Sequence, residues 1–168
     1  EIQIRFQWFP PRATPLCQPR LVVMFKYHYL DANCLVKLVV VEAGSKELRD
    51  HCGKRGITCA TTSFCFYEAL GVLKTKWVKQ NRPDHITEEI YLAACEELCS
   101  LVEDGQIQLE EVAIHNRLSF NESEKLTKKY KIDLSDSFQL VSIREGMLAQ
   151  LKTPIVPELI SEDGGVYK

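Results

Sequence analysis

From residue 24 onward the chain switches repeatedly between two hydrophobic periods, and the switches divide it into alternating elements. Side chains on a strand alternate faces every two residues, and those on a helix return to one face every 3 to 4. Lys26 to Leu30 reads as a short, aromatic-rich strand, followed by a helical stretch through Leu38 and Val41. Gly44 and Ser45 break that stretch, and a second helix is expected from Ser45 to about Lys54. Gly56 precedes a small β-prone run, Ile57 to Ala60. Ser63 is the expected N-cap of a helix through Leu73 or beyond. After the Pro83-Asp84 turn, Thr87 with Glu88 and Glu89 opens a long helix that ends near Asp104-Gly105. Ile107 to Ala113 alternates like a third strand. Asn121 and Glu124 form a capping-box pattern ahead of Leu126 and Tyr130, and Ser135 caps a helix from Asp136 to about Leu151. Pro157 to Ser161 makes a fourth strand, with Glu162, Asp163, Gly164 and Gly165 as the loop after it.

Strands alternating with helices predict an α/β fold with three layers (α/β/α) and a mostly parallel central sheet. Ligand sites of such sheets lie beyond the carboxyl ends of the strands. Asp31 and Asp163 each follow a predicted strand at that end.

At 168 residues, 45% of them apolar, the chain is enough for one domain with a real core and too short for two ordinary ones. Residues 1–23 read differently: they hold Pro10, Pro11, Pro15 and Pro19 and show no helical or strand period. They are expected to be an extension that the fold does not need, disordered or non-native, with Met24 opening the domain at 24–168. Net charge is -2, so nucleic acid would be held by local patches rather than by a globally basic surface. The seven cysteines are odd in number and contain no CxxC pair. Cys95 and Cys99 sit beside the apolar stripe of Ile90, Ala94, Leu98 and Val102, which points to packing. Free buried thiols suit a reducing cytoplasm, and no apolar stretch is long enough to span a membrane.

The candidate chemistry is carboxylate chemistry. Glu68 is the only charged residue between Gly56 and Leu73, lying between Phe64 and Val72 along one predicted helix face. A carboxylate on a buried face would neutralise, pair or bind metal; the alternative is a Glu at the helix edge reaching solvent. Asp31 stands in a similarly uncharged stretch, with a plain N-cap as its alternative role. Asp136 is equally explained by the helix dipole, and Asp163 by a turn. If the four converge, two like charges about 4 Å apart repel by roughly 4 kcal/mol at an effective dielectric near 20. Mg²⁺ or Mn²⁺ would offset that repulsion, since hard cations take oxygen ligands.

These residues resemble the motifs of the PIN domain family. Tyr29-Leu30-Asp31-Ala32-Asn33 is similar to its opening acidic motif, and Thr61-Thr62-Ser63-Phe64-Cys65-Phe66-Tyr67-Glu68 to its second. Leu134-Ser135-Asp136-Ser137-Phe138 resembles the third and Leu159-Ile160-Ser161-Glu162-Asp163 the fourth. The resemblance covers about Met24 to Lys168. It implies a PIN-like fold truncated at its C-terminal end, since the family normally adds a helix after the fourth motif. It also implies a metal-dependent endoribonuclease in which Asp31, Glu68 and Asp136 are core ligands and Asp163 completes the site. Asn33 and Ser161 would orient water or ligands, and Asp133 would be a rival or helper of Asp136. The implied partners are an RNA substrate, an antitoxin protein if the chain is the toxin of a toxin–antitoxin pair, and a second copy in a homodimer. Lys74, Lys76 and Lys79, with Arg82 and Trp77 among them, are candidate RNA contacts; the other reading is a solvated helix end with Trp77 packed inward. A second basic cluster, Lys125, Lys128, Lys129 and Lys131, reads as a wet helix face.

Two other acid-bearing α/β folds fit less well. A haloacid-dehalogenase-type phosphatase wants a second Asp where this chain has Asn33, and a receiver domain wants paired acids before its first helix. The alternative of a different class is a non-catalytic PIN-like module binding RNA or a protein partner. Deleting residues 1–23 is expected to leave the melting temperature nearly unchanged in a thermal unfolding scan; a large drop would show that the segment packs on the domain.

Overall fold

A computed structural model of the protein describes residues 26–111, 115–146 and 156–160. Among these, four strands and six helices alternate: β1 Lys26–Leu30, α1 Ala32–Val39, α2 Ser45–Cys52, β2 Ile57–Thr62, α3 Ser63–Val78, α4 Glu88–Glu103, β3 Ile107–Glu110, α5 Arg117–Tyr130, α6 Leu134–Glu145 and β4 Val156–Ile160. The strands form one all-parallel sheet in the order β3-β2-β1-β4. The α/β class is therefore as the alternation predicts. The proposed extension at 1–23 and the two site residues Ser161 and Asp163 lie outside the described residues.

Strand alternation sends successive residues to two differently built faces. Leu30, Cys59, Ile107 and Ile160 face a large core made with Leu35 and Val36 of α1, Ala69 and Leu73 of α3, and Leu98 of α4. Tyr29, Ala60 and Leu159 face the other way, where Ile143 of α6 covers them. Helices thus cover both sheet faces, which is why β1 is buried on each side.

The second face holds a buried carboxylate that the sequence does not advertise. Glu110, at the end of β3, is 2% exposed and accepts a hydrogen bond from the Tyr29 hydroxyl. In register, Tyr29 pairs with Ala60, and Ala60 with Gln108; the small alanine leaves the ring room to reach across β2. Gly146, just past α6, closes over the same group. A Cβ there would collide with the Glu110 carboxylate and the Ser142 carbonyl.

The predicted helix starts differ in three places. Thr62, not Ser63, caps α3, its hydroxyl accepting the Cys65 amide at 3.2 Å. The Asn121–Glu124 box lies inside α5, which starts one turn earlier with Asn116 accepting the Leu118 amide at 2.9 Å. Helix α6 begins at Leu134 behind Asp133, so Ser135 is inside it and Asp136 belongs to its first turn.

Because the Gly146 site is already filled, Gly146→Ala is expected to destabilise the protein by about 1–3 kcal/mol, the usual range for overpacking. A lowered urea midpoint at unchanged slope would report it, and an unchanged midpoint would show that Glu110 moves aside freely.

Candidate metal centre

The strand order places one carboxylate at a privileged point. From β1 the chain steps outward to β2 and β3, then returns to the opposite side of β1 as β4. The order therefore reverses between β1 and β4, and in open α/β sheets ligands bind at the carboxyl ends beside such a reversal. Asp31 is the residue that follows β1 there, and it is 7% exposed. Its amide donates to the Ile160 carbonyl at the end of β4 (3.3 Å). One residue before it, the Leu30 carbonyl accepts from the Thr61 hydroxyl at 2.8 Å. The backbone at Asp31 is thus held by both neighbouring strands.

Asp31 is also the N-cap of α1: Oδ1 accepts the Cys34 amide at 2.8 Å. The capping role and the proposed ligand role concern the same residue. The cap engages one carboxylate oxygen.

Glu68 corrects an expectation. It is exposed, because the buried stripe of α3 runs through Cys65, Ala69, Leu73 and Lys76, and Glu68 lies one position, about 100°, off that stripe. Asp136 is half-buried. Helices α3 and α6 touch where the Phe64 and Phe138 rings stack, with centroids 6.0 Å apart and planes 11° apart. Phe64 is one helical turn before Glu68, and Phe138 two residues after Asp136, so the two acids belong to helices that meet.

The side chain the sequence reading overlooked is Cys65, in the stretch between the Thr62 cap and Glu68. Burial raises its thiol pKa to about 11, against the lowering effect of a hydrogen bond with Thr62. The negative fields of Glu68, Asp31 and Asp136 add to the rise. Three acids from three elements therefore act on one sulfur. Their oxygens suit a hard cation in donor chemistry. Yet no three His, Cys, Asp or Glu side chains among the described residues are placed to hold a metal ion together.

Of the helper residues, Asn33 is exposed in the first turn of α1, and Asp133 is exposed at the start of α6, with no side-chain cap bond. The candidate RNA contacts divide. Lys74 and Lys79 are exposed. Lys76 is buried and paired with Glu42 at 2.5 Å and Asp84 at 2.6 Å, so its charge is spent inside the protein. Trp77 stacks on Tyr91 of α4, centroids 4.7 Å apart, and packs on the core. Both are corrections: internal partners claim the groups proposed for phosphate and base. Lys125 and Lys128 are exposed and paired with Glu122 and Glu124, contacts worth little in water.

This site belongs to a parallel α/β protein with a buried aspartate, Asp31, at the carboxyl edge of its sheet. No protein-family model matches the chain, and comparison with curated proteins finds no relative. No described helix is long and apolar enough to cross a membrane.

Asp31→Ala removes the cap and is expected to destabilise by about 0.5–2 kcal/mol in chemical unfolding. Asp31→Asn keeps a cap of similar strength and relieves repulsion among the acids, so it should unfold at or above the parent midpoint. Equal losses in both variants would mean that the charge itself holds the fold.

Proposed function

We propose that this protein is a PIN-type endoribonuclease that depends on Mg²⁺ or Mn²⁺, with Asp31, Glu68 and Asp136, completed by Asp163, as the acidic set. The observation that carries the reading is the buried Asp31 carboxylate at the strand-order reversal, sharing a sulfur's surroundings with the fields of Glu68 and Asp136. Four-motif resemblance supports it from the sequence side. A bound cation would supply an activated water for in-line attack on a phosphodiester and charge stabilisation at the leaving oxygen. The protein's own part is placement: Asp31 is fixed by backbone bonds to both neighbouring strands, and the exposed Glu68 and half-buried Asp136 belong to two helices that meet. Asn33 and Ser161 would orient water, and exposed Lys74 and Lys79 would meet phosphates. A toxin role in the cytoplasm, blocked by an antitoxin reaching the acids, and a homodimer are parts of the same proposal.

A non-catalytic PIN-like module is the second reading, favoured by the described acids falling short of a ready ligand set. One experiment separates the two. A pool of labelled single-stranded and structured RNA is incubated with the protein in Mn²⁺, Mg²⁺ or EDTA, and Mn²⁺ binding is measured in parallel. Cleavage is expected only with metal, and Asp31→Asn should abolish it while the protein stays folded. Cleavage that survives Asp31→Asn would end the assignment of that residue. A folded protein that neither binds Mn²⁺ nor cuts RNA would be the non-catalytic module.

A further inference from the structure

Away from the acidic edge, two cysteines form a pair. Cys52 is the last residue of α2 and Cys59 lies in the middle of β2, and their thiols are hydrogen-bonded to each other. The contact is built by the fold: α2 packs on β2, and both sulfurs belong to the same core. Only a short turn separates them, passing through Gly53 and through Gly56 at φ 85°.

The two sulfurs differ in access. Cys59 is 4% exposed, whereas Cys52 is half-buried and reachable from solvent. The Cys52–Cys59 hydrogen bond holds the Cys52 pKa below the ordinary thiol value and, with burial, pushes that of Cys59 up. The less buried sulfur is therefore the one that an incoming disulfide meets first. Two histidines belong to β1 and α2. His28 is the register partner of Cys59 in β1, so its side chain leaves the sheet on the same face. Its Nδ1 lies 3.3 Å from Nε2 of His51, the neighbour of Cys52.

We propose that Cys52 and Cys59 are a redox-active dithiol that closes to a disulfide by exchange with a small-molecule disulfide, stapling the end of α2 to β2. The Cys52 thiolate attacks one sulfur of the external disulfide, forming a mixed disulfide and expelling one thiolate. Cys59 then attacks the Cys52 sulfur, its proton leaving with the second expelled thiolate. In sum, two protein thiols and one external disulfide become one protein disulfide and two external thiols. The other described cysteines are placed for other things: Cys34 donates to the Ile160 carbonyl at 3.3 Å, Cys65 is buried in α3, and Cys95 and Cys99 are on α4. The proposal does not depend on the nuclease reading.

The test uses the full chain, equilibrated over a series of oxidised-to-reduced glutathione ratios, quenched by alkylation and digested with trypsin. Lys54 and Arg55 lie between the two cysteines, so cleavage there leaves peptides joined only by the disulfide. The Cys52–Cys59 pair is expected as the dominant linked product, absent in Cys52→Ser, where Cys59 should gain no other cysteine partner, and unchanged in Cys99→Ser. Circular dichroism confirms that the Cys52→Ser chain is folded, which keeps the comparison valid even where Cys59→Ser is not. Glutathione adducts without an internal link, or linkage of Cys52 to Cys95 or Cys99 in equal amount, would overturn the proposal.

Discussion

The site depends on β1 being paired on both sides. A central parallel strand can deliver the residue after it to a fixed point, because neither backbone edge is left to water. Here the fixing is literal. Thr61 holds the Leu30 carbonyl, Ile160 holds the Asp31 amide, and the Asp31 carboxylate in turn holds the first turn of α1. A carboxylate with so little exposure is costly unless hydrogen bonds or opposite charge accompany it. The cap and the helix dipole supply part of that compensation at Asp31.

The three described acids are compensated unequally, and the inequality follows from helix position. Asp31 caps α1 and Asp136 lies in the first turn of α6, so both sit near exposed amides. Glu68 lies in the second turn of α3, where the dipole has largely faded, and it is the most exposed of the three. A cation drawn to this edge would find one carboxylate held rigidly by backbone and one on a flexible stem, a combination that lets a side chain move to meet an ion.

Much of the fold was legible because its signals are local. The aromatic and β-branched runs of β1 and β2, the Thr87 cap and the Gly105 stop each act within a few residues. What failed was decided from a distance. A run without charge shows that Glu68 is conspicuous but cannot show which face of α3 turns inward; the stripe of Cys65, Ala69 and Leu73 settles that by packing on α1 and the sheet. Lys76 looked like a phosphate ligand because Glu42 and Asp84, its partners, are remote in sequence or across a turn. Asn121 and Glu124 spell a capping box, yet nothing from Arg117 to Phe120 breaks a helix, so the earlier cap at Asn116 extends α5 by a turn. Of the candidate site, the positions of Asp31 and Asp136 near helix starts were readable; that Cys65 would report on three acids was not, since it requires α3 and α6 to meet.

The Tyr29–Glu110 bond gives that meeting a physical origin. Ile143 of α6 rests on the Tyr29 and Ala60 surface, and Gly146 at its end presses on Glu110. Asp136 is ten residues before Gly146, roughly 15 Å along a rigid helix. The helix is therefore seated at one end by a buried carboxylate on β3 and at the other by the Phe138–Phe64 stack. The unadvertised buried acid, itself the last residue of β3 at the carboxyl edge of the sheet, thus lies against the end of the helix that carries Asp136.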